Sequence, residues 1–200
     1  MRTKLILAMA TAGMMYGSSA FALPETPPAP APKTQAPLQF GKGEVTFTGT
    51  ITSSPCDIAP EDSNIQVAFG QVSDRHFKKT DNTTDSKKFT IHLKNCSFDK
   101  DTATSGANPV GLMSKVTVTF TGTGETTHHS YPSTGSTQDV GVQILESDNT
   151  TVINPGTDAK EKQLSADSND LDFFARLIAL KDNAAPGEVK ASVTYNLKYM

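Results

Sequence analysis

An all-β sandwich is the fold that the sequence predicts, and three observations predict it. From Glu188 to Tyr199 the chain alternates without a break: Val189, Ala191, Val193, Tyr195, Leu197 and Tyr199 are apolar, while Glu188, Lys190, Ser192, Thr194, Asn196 and Lys198 are polar. A period of two over that span is a strand with one buried face and one wet face. A second stretch follows the same pattern: Val45, Phe47, Gly49 and Ile51 share one face, and Glu44, Thr46, Thr48 and Thr50 the other. Between the two, short apolar alternations recur with turn signals between them and Trp is absent, a pattern of packed antiparallel sheets rather than helices.

Taken in order, Met1–Lys4 is basic, residues 5–15 are apolar, and Ala20-Phe21-Ala22 supplies small residues for cleavage after Ala22, so residues 1–22 read as a secretory signal peptide. Residues 23–52 read as an N-terminal extension. Its lead, residues 23–37, carries six prolines in fifteen residues and cannot build a helix or a ladder; it is either a spacer or a control on what attaches to the N-terminus. Residues 38–52 carry the alternating stretch, and residues 53–200 form the domain.

Within the domain, a short strand is expected near Ile58, then a loop over 59–64. Ile65, Val67 and Phe69 predict a strand closed by Gly70, and the polar run 74–86 an exposed loop. Strands are predicted over 87–96 (Phe89, Ile91 and Leu93 inward), 115–121 (Val116, Val118, Phe120) and 140–146 (Val140, Val142, Ile144). Residues 97–114 are turn-rich and 122–139 a long Gly/Ser/Thr/His loop. A turn at Asp148-Asn149 leads into 150–153, and Asn154-Pro155-Gly156 makes another. Leu171, Phe173, Ala175, Leu177 and Ala179 predict a strand over 171–180, and residues 181–186 connect it to the last one. At about 3.3 Å per residue that last strand would run ~40 Å and would need neighbours on both sides. Either the two end stretches pair within one molecule, or each pairs with its counterpart in a neighbouring copy.

The formal net charge is −3, and removing Arg2 and Lys4 with the signal leaves 16 Lys+Arg against 21 Asp+Glu, or −5. An acidic chain with no basic cluster points away from nucleic acid and anionic membrane, and no run after the signal is long enough to span a bilayer. Two cysteines in an exported chain, Cys56 and Cys96, most simply form one disulfide, the alternative being two buried thiols. Spacings for zinc ligation, a nucleophile elbow, a phosphate-binding loop or a His-Glu-x2-His site are missing. His128-His129 are adjacent and would point apart, and His76 and His92 are isolated on polar positions. The sequence therefore predicts no enzyme, no metal and no cofactor.

The residues resemble one family, the pilin subunits of bacterial chaperone–usher fimbriae of type 1 and P type. The carriers are Gly43-x-Val45-x-Phe47-x-Gly49-x-Ile51 ahead of Cys56, the offset from Cys56 to Cys96, and an ending with Gly187 fourteenth from the C-terminus and Tyr199 penultimate. The resemblance implies an incomplete immunoglobulin-like β-sandwich that lacks its final strand. A periplasmic pilus chaperone would fill the gap first, and at the outer-membrane usher the extension of a neighbouring pilin subunit would replace it. On that reading Val45, Phe47, Gly49 and Ile51 form the donor strand, with Gly49 where the groove is narrow. Gly187, Val189, Ala191, Val193, Tyr195, Leu197 and Tyr199 would line the acceptor groove and meet the chaperone. The chain would travel through the periplasm to a cell-surface fimbrium that supports adhesion. The proline-rich lead is longer than in an ordinary major pilin and points to a minor or terminating subunit, terminators being known for a blocked groove. The competing reading is a fimbrial adhesin or a self-contained secreted β-sandwich binding module, in which the 122–139 loop would touch a receptor.

Overall fold

The computed structural model describes residue 41 and residues 43–200; the signal peptide, the proline-rich lead and residues 38–40 lie outside the described residues. The chain divides into a unit that ends at Gly49 and a second unit from Thr50 to Met200. In the first, the described residues carry no helix or strand, and Val45 and Phe47 are 74% and 90% exposed.

The second unit is a two-sheet sandwich. Its strands are β1 (Asp57–Ile58), β2 (Lys87–Cys96), β3 (Lys115–Thr121), β4 (Tyr131–Pro132), β5 (Val140–Leu145), β6 (Val152–Ile153), β7 (Lys162–Gln163), β8 (Asp167–Ala179) and β9 (Thr194–Tyr199). The larger sheet runs β1-β2-β8-β5-β4 with β6 also on β5, and the smaller runs β7-β3-β9. All pairings are antiparallel, as short strands joined by turns allow. Register places the apolar faces together: Phe89 opposite Phe173, Ile91 opposite Leu171, and Ile144 opposite Ala175. Phe120, from the other sheet, meets Phe173 edge-on at 5.0 Å and Phe89 at 6.1 Å, the geometry that aromatic quadrupoles favour. Cys56 and Cys96 are joined in a disulfide, as predicted.

The predicted strands over 87–96, 115–121, 140–146 and 171–180 all form. Four expectations need correction. Ile65, Val67 and Phe69 alternate inward and are half-buried, but no strand forms there, and residues 66–72 make no backbone–backbone hydrogen bond among the described residues. The predicted strand 188–199 alternates in burial along its whole length, yet only Thr194–Tyr199 is laddered. In both stretches the faces were read correctly, and what is missing is a partner. The polar run 74–86 is not all exposed, because a 3-10 turn over Asp74–Phe77 buries Phe77. The 122–139 loop contains β4, where Tyr131 is buried and donates its hydroxyl to the Phe120 carbonyl at 2.7 Å.

Candidate functional site: an open seam between the sheets

Among the described residues β9 is an edge strand whose one neighbour is β3. Lys115 and Met200 exchange both backbone hydrogen bonds, at 3.0 and 2.9 Å. In an antiparallel pair that pattern repeats every second residue, so the even residues of β9 face β3. The N–H and C=O groups of Tyr195, Leu197 and Tyr199 consequently face the open edge. The same alternation continues upstream. Glu188 donates to Ser136 Oγ at 2.6 Å and accepts from Thr137 N–H at 3.2 Å, while Lys190 donates to Ser133 Oγ at 3.2 Å and accepts from Thr134 N–H at 2.7 Å. No backbone–backbone hydrogen bond reaches Val189, Ala191 or Val193 among the described residues.

Gly187 permits this arrangement. A Cβ there would stand 2.8 Å from Ser136 Oγ and 2.9 Å from the Thr137 nitrogen, too close for any side chain. Gly135 is under the same constraint from the opposite side, where a Cβ would stand 2.2 Å from the Glu188 carbonyl oxygen. The two glycines let residues 133–137 lie edge-on against the start of the C-terminal segment.

Across from this wall runs the unladdered stretch 65–72. Between the two lies a groove of about 870 Å³ whose sides include Ile65, Val67, Phe69, Val189, Ala191, Val193 and Tyr195 and whose floor includes Phe89, Phe120, Val142, Ile144 and Ala175. A second cavity of about 510 Å³ adjoins it, sharing Val67, Phe69 and Val189 and reaching Phe77, Val140, Leu177 and Gly187. The floor is the interior of the sandwich, so the groove is a core lacking one layer of cover. Of the seven predicted groove residues, Gly187, Val189, Ala191, Val193 and Tyr195 line these cavities, whereas Leu197 and Tyr199 pack against the core instead. Of the predicted donor residues, Ile51 is fully exposed and Val45 and Phe47 are largely so.

At one end of the groove is a polar cluster. Asp62 is 5% exposed, and its carboxylate accepts from the His92 N–H at 2.6 Å and lies 2.9 Å from His92 Nδ1. Tyr195 donates its hydroxyl to the Asp62 carbonyl at 2.9 Å. His92 is thus not isolated, and sequence reasoning had no route to this cluster, whose members lie 30 and 133 positions apart. It also missed Phe77 and Tyr131, single apolar residues in polar runs that leave no periodic trace.

Tyr199 is the anomaly: its hydroxyl is buried with no hydrogen-bond partner among the described residues, and burial, with Tyr195 beside it, pushes its pKa up to about 12. An unpaired buried hydroxyl costs on the order of 1–3 kcal/mol. Tyr199→Phe is therefore expected to raise the melting temperature at neutral pH, read by calorimetry. A phenol raised above the ordinary tyrosine value near 10 contributes stability that is intact below that pH and is lost as pH rises towards 12. The Phe variant should consequently lose less stability between pH 10 and 12 than the parent.

The fold and the open seam define the class, a β-sandwich with one position in its core left vacant. Residues 45–200 match the family model described as "Fimbrial protein", and the chain belongs to that family, the pilins of chaperone–usher fimbriae. It is similar to the fimbrial-like protein YbgD of Escherichia coli K12, 34% identical over 80% of this chain and 86% of the relative. It is also similar to the major MR/P fimbria protein of Proteus mirabilis HI4320, 31% identical over 80% and 85%. Among solved structures, the P pilus rod subunit PapA superimposes with a TM-score of 0.59 at 22% identity, covering 74% of this chain and all of that one. A chaperone–usher pilus structure gives a TM-score of 0.63 at 23% identity, covering 80% and 96%; these two likenesses show the fold. The chain is thus a subunit of a cell-surface fimbrium whose partners include neighbouring pilins.

Proposed function

We propose that this subunit polymerises by donor-strand exchange: residues 43–51 of one copy enter the groove of the next, while the copy's own groove receives a third. The observation that carries the reading is the groove itself, a core floor lying open between two extended walls with unpaired backbone edges. Strand addition satisfies both needs at once, with main-chain bonds holding the strand and alternate side chains fixing its register. Val45, Phe47 and Ile51, exposed on one chain, supply the missing layer. At about 2 kcal/mol per side chain, their burial contributes roughly 6 kcal/mol before any ladder bond forms. Head-to-tail donation does not close on itself, so it builds a fibre. Before assembly, a periplasmic chaperone covers the groove and the outer-membrane usher exchanges it for the next subunit, because an uncovered apolar seam invites aggregation.

Residues 1–22 act as the export signal, 23–52 as the extension and 53–200 as the pilin domain. The groove weighs against a terminating subunit, which would need it blocked, and favours a minor or shaft position that extends the fibre and supports adhesion. The test is a synthetic peptide spanning Gly43 to Thr52, added during thermal unfolding to the purified exported chain carrying Phe47→Asp, whose own extension cannot fill a neighbour's groove. The expected result is a rise in melting temperature of more than 10 °C, about 3 kcal/mol or more for a domain this size. No shift at saturating peptide would sink the reading.

A further inference from the structure

The Tyr195–Asp62 hydrogen bond is the only one that joins residues 56–72 to residues 187–200 among the described residues. It crosses the seam from wall to wall. Asp62 is not free to yield: its N–H donates to the Ala59 carbonyl at 2.9 Å, its carboxylate is held by His92, and Ala59 N–H bonds the His92 carbonyl at 3.0 Å. The whole 3-10 turn over Pro60–Asn64 is thus pinned to β2. On the near side of this crossing Val189, Ala191 and Val193 look into the groove. On the far side Leu197 and Tyr199, on the same face of the same strand, do not line it, and the Tyr199 hydroxyl is already buried by the protein's own atoms.

We infer that the Tyr195 hydroxyl, anchored on the Asp62 carbonyl, is the stop that ends the acceptor groove and limits how far an incoming strand can run along β9. The inference rests on the donor-strand reading and adds a specificity determinant to it. Gly187 to Tyr195 spans eight residue steps, about 26 Å at strand rise, and Gly43 to Ile51 spans the same eight. A groove bounded at Tyr195 therefore takes a strand of nine residues with five inward positions. The next residues on the donor's inward face, Gly41 and Ser53, carry no apolar side chain that would need a pocket. A strand with a longer apolar alternation would have to leave residues unpaired or break the Tyr195 contact, so the stop selects among subunit extensions by length.

The experiment is residue-resolved amide hydrogen exchange on the exported chain carrying Phe47→Asp, which cannot donate its own strand, with and without the Gly43–Thr52 peptide. With the stop in place, the peptide should slow exchange at Val189, Ala191 and Val193 by roughly a hundredfold or more, the order expected when free edge groups enter a ladder. Leu197 and Tyr199 should be unchanged. Adding Tyr195→Phe, which keeps the ring and deletes the hydroxyl, should let protection spread to Leu197 when the peptide is lengthened by two residues at either end. Protection reaching Leu197 and Tyr199 in the parent overturns the inference while leaving donor-strand exchange intact, as does an unchanged pattern in Tyr195→Phe. No protection at any of these amides removes the donor-strand reading itself, and the stop with it. Should Tyr195→Phe fail to fold, the parent's protection boundary decides alone.

Discussion

Phe47→Asp is expected to abolish assembly of the purified chain while leaving the fold of each subunit untouched. Phe47 is 90% exposed on the free chain, so nothing in the folded subunit loses a contact, and the melting temperature should stay within about 1 °C of the parent. If residues 43–51 fill the groove in the assembled fibre, the same side chain lies over its apolar floor. There the variant forfeits about 2–3 kcal/mol of apolar burial and must also strip water from a carboxylate with no partner, several kcal/mol more. At 1.4 kcal/mol per decade, the combined loss is a factor of a thousand or more in affinity. Light scattering should follow growing fibres for the parent and a stationary monomer signal for the variant. Thr48→Asp, one residue away on the opposite face, supplies the control and should assemble nearly as the parent does. If Phe47→Asp assembles like the parent, the strand is not donated through this face.

The contrast between Phe47 and Thr48 is also the measure of what was legible in the sequence. A period of two reports which side of a strand is dry, and that reading holds along β2 and β9, whereas in β3 and β5 the expected wet face also carries buried polar residues, Thr117 and Gln143. It held at Ile65, Val67 and Phe69 and at Val189, Ala191 and Val193, where no ladder exists. Periodicity is silent about partners, because a strand's hydrogen-bonding edges carry no side chains. The ladder therefore stops at Thr194, where the sequence pattern runs on unchanged to Glu188. The resemblance to pilins supplied the reason that a partner could be missing, and the geometry of residues 187–193 and 65–72 is consistent with it. Gly187 stands out in the sequence by its place near the C-terminus, but its physical cause, the approach of Ser136 and Thr137, is visible only in the fold. The Asp62–His92–Tyr195 cluster left no trace at all, since contacts between distant residues of mixed type have neither period nor spacing.

Replacing both Cys56 and Cys96 by Ala should push the empty subunit to the edge of unfolding, and the peptide should bring it back. The bridge closes a loop with a sequence separation of 40, which by the chain-entropy account contributes about 4 kcal/mol. Both sulfurs sit in the main core cluster, so their removal also leaves small voids. A complete domain has about 5–15 kcal/mol in total, and this one lacks the roughly 6 kcal/mol that a bound strand would add. Losing about 4 kcal/mol from so small a remainder should drop the melting temperature by roughly 8–16 °C. Binding acts in the opposite direction through mass action. Peptide at a thousand times its dissociation constant stabilises by about 4 kcal/mol, enough to offset the lost bridge. The expected calorimetric result is a double variant that melts far below the parent alone and near the unliganded parent once the peptide saturates it. A variant that melts with the parent would mean that the loop constraint is redundant. One that the peptide cannot rescue would mean that the bridge shapes the groove itself, since β1 follows directly from Cys56 and leads through the 3-10 turn over Pro60–Asn64 into the wall at 65–72.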